Sequence, residues 1–185
     1  VSIHLGEDVD EDSLCERAFA ECERIELLYS RFIAGNELAR VNSCLGEWQE
    51  ISEELAVLIG VGLEAGRQSF GAFDLTVKSI LEGWGYDSSY SLTEGVPGAL
   101  GRVELDGHRL RLGAEIDLGG LGKGYAIDRM ATILADLPSV LIDAGGDMVG
   151  WGRQSAEAPW KIVLEDPRDL NRAIGEVTFE GRMAV

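Results

Sequence analysis

Apolar residues recur at helical spacing in three stretches of this chain and at strand spacing in several others. Leu14, Ala18, Cys22, Ile25 and Leu28 fall three or four apart, so 13–30 is predicted to be a helix with one buried face, opened by Ser13-Leu14-Cys15-Glu16 as a capping box. Leu55, Leu58, Ile59, Gly62 and Leu63 share the face of a second helix, which Ser52 can cap and Gly71 can stop. Tyr125, Ala126, Met130, Ile133 and Leu134 mark a third, ending before Pro138. Residues 1–5 alternate weakly, as a strand does. Val103-Glu104-Leu105, the turn Asp106-Gly107 and Leu110-Arg111-Leu112 predict a hairpin. Glu115 to Leu118 reads as a strand running into glycines, and Val140-Leu141-Ile142 as a buried strand. Trp160, Ile162 and Leu164 alternate as a further strand, to which Ile174 to Phe179 pairs. Ser30 to Asn42 reads as irregular polar sequence around Gly35-Asn36, and Asp87 to Gly101 as a loop. Phe73 reads as buried, and Trp84 and Tyr86 as residues of the core or its edge, with ring stacking on a planar ligand as the alternative. The mixed order of elements predicts an α+β fold with antiparallel pairing.

A length of 185 residues suits one domain, or one domain with two lobes, and a hydrophobic content of 45% allows a real core. The net charge of −17 argues against a nucleic-acid or anionic-membrane partner, since either surface would repel the chain. It leaves small anionic ligands open, because one lysine and helix-end N–H groups can bind phosphate locally. No apolar run approaches the ~20 residues of a membrane-crossing helix, and no signal peptide is visible. Cys15, Cys22 and Cys44 form neither a CxxC nor a Cys/His cluster, and are expected to be small hydrophobes. His4 and His108 are isolated, with His108 an exposed hairpin residue.

The chemistry concentrates in two glycine-rich segments. The first, Asp117-Leu118-Gly119-Gly120-Leu121-Gly122-Lys123-Gly124, reads as a strand-to-helix turn. Such a turn can bring bare N–H groups and a helix N-terminus to a phosphate, with Asp117 accepting from a ribose or adenine amine and Lys123 meeting the phosphate. A tight turn without ligand, with Asp117 and Lys123 as a surface ion pair, is the plain reading beside it. It is not a P-loop, because Walker A needs a glycine five positions before the lysine and a Ser or Thr after it. It fails the dinucleotide fingerprint too, its third glycine falling one residue early; with Asp143 as a ribose-binding acid, a Rossmann unit remains a weak alternative. The second segment, Asp143-Ala144-Gly145-Gly146-Asp147, reads equally as a hairpin bend, and Asp74 and Thr76 of Phe73-Asp74-Leu75-Thr76 as a local cap.

Together these segments resemble the ApbE family, the FAD:protein FMN transferases. Tyr29-Ser30-Arg31-Phe32 through Glu37-Leu38-Ala39-Arg40-Val41-Asn42 resembles its "FSRY…SELSRLN". Gly71 to Val77 resembles "GAFDPTV", Gly83 to Tyr86 "LWGF", and Ile116 to Asp128 "LDLGGIAKGYAVD". Asp143 to Asp147 resembles "NAGGD", and Pro159 to Pro167 "PWRVGIQDP". The motifs run in the family's order over nearly the whole chain. Asp143 stands where Asn is usual, and Lys78-Ser79 where Gly-Pro is.

The resemblance implies an ApbE-like, T-fold-like arrangement of mixed, largely antiparallel sheets with packed helices, in a single domain over 1–185. It implies binding of FAD and a divalent metal, usually magnesium, with FMN transferred to a Thr or Ser of a target flavoprotein and AMP released; some members hydrolyse FAD instead. Carried over by position, the FAD contacts fall on Phe32, Ala72, Phe73, Asp74, Asp117, Lys123 and Asp147, and a metal-binding carbonyl on Gly120. Phe32 takes the place of a tyrosine, keeping a ring for stacking and losing the hydroxyl contact. Family members continue into a His-Ile-Ile-Asp-Pro segment and a late Asp/Thr pair, which carry the base and the metal's side-chain ligands. That block would start where Arg182-Met183-Ala184-Val185 stands, so the expected catalytic residues lie in a further segment, on a longer chain or a second polypeptide. An inactive flavin-binding module and an acidic interaction domain are the alternatives of other classes. Family members are often periplasmic or lipid-anchored outside the inner membrane.

Overall fold

In a computed structural model, residues 1–7, 11–86, 95–96 and 98–185 are described. Most of the loop read over Asp87 to Gly101 lies outside them. The chain forms two compact units, one of Ile25–Gly122 and one of Val1–Arg24 with Lys123–Val185. Every pairing between the named strands is antiparallel, which removes the Rossmann alternative and bears out the α+β expectation.

In the discontinuous unit, a four-stranded sheet has the order β1-β5-β6-β9, from β1 (Ser2–Leu5), β5 (Val140–Ala144), β6 (Asp147–Trp151) and β9 (Met183–Ala184). Successive side chains of a strand point to opposite faces, and β5 is apolar on both. Val140, Ile142 and Ala144 pack with Ile127, Met130 and Ala131 of α5 (Gly119–Ile133), with Leu134 just after it, and with Ala18 of α1 (Asp12–Tyr29). Leu141 packs instead with Trp160, Ile162 and Phe179, from the hairpin of β7 (Trp160–Asp166) and β8 (Asp169–Phe179). The unbroken apolar run Val140-Leu141-Ile142 is thus a strand buried on both sides. The predicted pairing of Ile174 to Phe179 with Trp160 onward is present, although Leu164 is exposed.

In the continuous unit, α2 (Glu37–Asn42), α3 (Glu53–Gln68) and α4 (Lys78–Gly83) accompany a three-stranded sheet of order β2-β4-β3. Its strands are β2 (Gln49–Glu50), β4 (Arg109–Leu112) and β3 (Val103–Asp106). Ser52 caps α3 as expected, accepting the Leu55 N–H, and Leu55, Leu58, Ile59 and Gly62 are buried along it; Leu63 is exposed. The helix stops at Gln68, and Phe70 and Gly71 follow with φ of 54° and 84°.

Five local expectations need correction. Helix α1 begins at Asp12, with the Glu11 carbonyl accepting the Leu14 and Cys15 N–H groups, so Ser13 lies inside it and is no cap. The polar stretch before Asn42 contains α2, because the Asn36 side chain accepts the Ala39 N–H and starts a helix there. The hairpin turn is Gly107-His108, one residue later than read, and His108 is exposed as expected. Of the cysteines, Cys22 packs on the core as expected, whereas Cys44 is exposed. Trp84 is 60% exposed and is no core residue.

Tyr29 is buried and donates its hydroxyl to Glu54 Oε2 at 2.8 Å. Burial pushes its phenol well above the ordinary tyrosine value, and the Glu54 carboxylate adds to the rise. The unfolded phenol ionises near pH 10 while the folded one resists. The stability linked to Tyr29 is therefore present below about pH 10 and is lost as pH rises above it. Tyr29→Phe is expected to cost about 1 kcal/mol at pH 7 and to flatten the fall in stability above about pH 10. Urea denaturation of both proteins at pH 7 and pH 11 tests this; parallel pH profiles would refute it.

Candidate nucleotide site

The segment 115–118 forms no strand ladder, contrary to the sequence reading. Two neighbours satisfy its backbone instead. Asn42 donates Nδ2 to the Ile116 carbonyl at 2.9 Å and accepts the Ile116 N–H on Oδ1 at 2.8 Å, while the Leu75 carbonyl accepts the Asp117 N–H at 2.8 Å. These three bonds aim Asp117 at the start of α5. The glycines that follow are the opening turns of that helix, not a turn before it. None of Gly119, Gly120, Gly122 and Gly124 has a positive φ, so left-handed backbone does not explain them.

Room explains two of them. A Cβ on Gly120 would sit 2.8 Å from the Phe73 ring, and one on Gly119 would sit 2.8 Å from Asp117 Oδ1. At Gly122 and Gly124 an added Cβ would meet no described atom within 4 Å. The helix therefore exposes bare backbone where a ligand can approach closely.

Asp117 is buried, its side chain 6% exposed. Its Oδ1 accepts the Gly119 N–H, and its Oδ2 lies 3.0 Å from Nε of Arg31, whose side chain is 5% exposed. A carboxylate at a helix N-terminus is favoured by the helix dipole, and here it also balances a buried guanidinium. Arg31 Nη2 donates to the Tyr86 carbonyl at 2.8 Å, and its Cζ lies 4.5 Å from the ring centroids of both Phe32 and Tyr86. Those two rings meet edge to face at 6.4 Å. The continuous unit thus brings together Phe32, Phe73, Asp117 and Gly120 from the predicted set. It adds Arg31 and Asn42, to which sequence reasoning gave no role, and Tyr86, read from sequence as a core or edge aromatic able to stack. The signal for Arg31 was a lone charge between aromatic residues at Tyr29-Ser30-Arg31-Phe32.

Asp74 accepts the Thr76 N–H and hydroxyl at 2.7 and 2.6 Å, capping the 3-10 turn Leu75–Val77. It has the local-cap role that stood beside the functional one. Phe73 is half-buried, with its N–H donated to Ser69 Oγ at 2.9 Å, and Ala72 is exposed. Lys78, where the family motif has Gly, starts α4 and pairs with Glu82 and Glu115 at 3.0 and 2.9 Å.

In the discontinuous unit, Lys123 pairs with Asp147, both side chains being more than half exposed. Asp147 opens β6, directly after the two-residue turn Gly145-Gly146, whose φ values of 69° and 98° are the pair a tight hairpin turn of this hand requires. Asp143 Oδ1 accepts the Gly146 N–H at 2.8 Å. The second glycine segment is therefore a hairpin bend that presents Asp147. The Asp117–Lys123 pair considered from the sequence does not form: Asp117 takes Arg31 and Lys123 takes Asp147.

For a divalent cation the donor set is poor. Gly120 supplies one carbonyl in the first turn of α5, and among the described residues no three His, Cys, Asp or Glu gather to hold a metal. The described residues do not by themselves fit such an ion. Among them, too, no helix is long and apolar enough to cross a membrane.

A family model described as the ApbE family matches residues 1–185. The FAD:protein FMN transferase of Escherichia coli (strain K12) is 22% identical over 189 residues, covering 89% of this chain and 52% of that protein. An ApbE protein of Thermotoga maritima has a crystal structure that superposes with a TM-score of 0.84 at 28% identity, over 97% of this chain and 63% of that one. The apo flavinyl transferase ApbE of Pseudomonas stutzeri shares the fold, with a TM-score of 0.79 at 24% identity over 96% of this chain and 60% of its own. The chain spans about half the length of the curated relatives it matches. Nothing in these likenesses supports a second polypeptide.

Proposed function

This chain belongs to the ApbE family, and from that premise we propose that the protein is an FAD:protein FMN transferase. It binds FAD, transfers the FMN moiety to a Thr or Ser hydroxyl of a target flavoprotein, and releases AMP. The observation that carries the reading is the opening of α5. A fixed buried carboxylate stands at the helix N-terminus, an aromatic ring seats on Gly120, and bare backbone follows at Gly122 and Gly124.

Each part has a task that physical chemistry assigns. Asp117, oriented by Arg31 and the Gly119 N–H, accepts from an N–H or O–H of the nucleotide. The helix dipole and Lys123, one turn further along α5, favour the pyrophosphate. Phe32 and Phe73 offer ring faces to a planar group. Ala72, Asp74 and Asp147 follow as FAD contacts by position alone. Positioning of this kind is the larger part of catalysis in phosphoryl transfer, where the protein orients the attacked phosphorus and the incoming hydroxyl. Magnesium is the cation that the family resemblance implies, with Gly120 as its carried-over ligand. Attack by the acceptor hydroxyl on the FMN phosphorus, with AMP leaving, accounts for both products.

Calorimetric titration with FAD, with and without magnesium and with AMP assayed in the same samples, tests the reading. Saturable binding is expected, with AMP release when an acceptor protein is supplied. Absence of FAD binding would sink it, and binding without AMP release under any condition would reduce it to flavin binding.

A further inference from the structure

Arg31 carries more N–H donors than its structural pairings use, and one of its three nitrogens is left without a pairing. Nε goes to Asp117 and Nη2 to the Tyr86 carbonyl, while Nη1 is buried and has no hydrogen-bond partner among the described residues. Folded proteins rarely leave a buried donor unpaired, because doing so forfeits the hydration of that group. The two rings on the guanidinium, Phe32 and Tyr86, are 43% and 41% exposed. They are the exposed part of its described surroundings, and Phe32 is already among the expected ligand contacts.

Charge decides which acceptor suits Nη1. The positive charge of Arg31 is already balanced by Asp117, within a chain of net charge −17. A phosphate oxygen would bring further negative charge up to a buried carboxylate. An uncharged acceptor completes the guanidinium without that penalty. We propose that Arg31 contacts the ligand directly, its Nη1 donating to an uncharged acceptor atom on the edge of one of FAD's two planar ring systems. This rests on the FAD reading above. Both the isoalloxazine and the adenine carry such atoms, so the test separates the two halves.

The experiment compares Kd values of the wild-type protein and Arg31→Lys for FAD, FMN and AMP. Lysine keeps a positive charge beside Asp117 and lacks the planar fork. FAD affinity is expected to fall about tenfold, with a like loss for either FMN or AMP and none for the other; the half that loses names the ring. Unchanged affinities would overturn the proposal, and so would equal losses for both halves, which a merely structural role would give. Failure of the wild-type protein to bind FAD would overturn the FAD reading and this inference with it. Binding by wild type without a selective loss in the variant overturns this inference alone. A second measurement needs no variant: in wild-type protein carrying 15N-arginine, FAD is expected to shift the Arg31 Nη resonances and slow their hydrogen exchange. Unmoved signals would overturn the proposal even if Arg31→Lys did not fold.

Discussion

Asp117→Ala is expected to abolish measurable FAD binding and to lower stability by about 3–5 kcal/mol, the usual cost of stranding one partner of a buried ion pair. The magnitude follows from burial on both sides. With side chains only 6% and 5% exposed, water cannot replace the lost carboxylate around Arg31. The Gly119 N–H loses its acceptor as well, at the end of the helix where orphan donors gather. Stability and function can be separated by a second variant. Replacing Arg31 with Met and Asp117 with Leu together removes both charges, and should recover most of the stability while leaving FAD unbound. Urea denaturation and FAD calorimetry on the three proteins decide the matter. If Asp117→Ala kept wild-type stability, the ion pair would not be the buried clamp described above.

Asn42→Ala is expected to cost about 2–4 kcal/mol. Its side chain does for Ile116 what a neighbouring strand would do, satisfying both the N–H and the carbonyl in a buried place. Alanine would leave the two backbone groups unpaired at once. Asn42→Asp should fall between, since the carboxylate still accepts from the Ile116 N–H but cannot donate to its carbonyl. Ile116 precedes Asp117, so FAD affinity should weaken together with stability. Hydrogen exchange at the Ile116 amide gives the local readout, and unchanged protection in Asn42→Ala would contradict the assigned role.

Where structure follows from short-range pattern, the sequence reading held. The Ser52 cap, the α3 face of Leu55, Leu58 and Ile59, the hairpin around Gly107 and the strand at Val140 each depend on residues within a few positions of one another. Helix α2 was missed because six residues are too short to show a period, and its Asn36 cap looks in sequence like another turn residue. The segment 115–118 was taken for a strand because its composition suits extended backbone. What keeps it out of a sheet is Asn42, which lies 74 residues away. The site divided in the same manner. Asp117, Phe73 and Gly120 were legible through motifs. The Arg31–Asp117 pair was not, since no local spacing couples an arginine in the Tyr29–Phe32 segment to a carboxylate so far downstream. The cap geometry at Asp74 and the hairpin at Gly145-Gly146 show the reverse case, in which the modest local reading accounts for the observed bonds.

The pairing of β1 with β5 sets an order on biosynthesis. Ser2 to Leu5 meet partners more than 130 residues later, at Val140 to Asp143. At about 5–20 residues per second on the ribosome, that first strand waits on the order of ten seconds for the strand it pairs with. The unit Ile25–Gly122 draws on one uninterrupted stretch and can close its contacts as it emerges. The Arg31–Asp117 clamp can thus form before β1 has found its sheet.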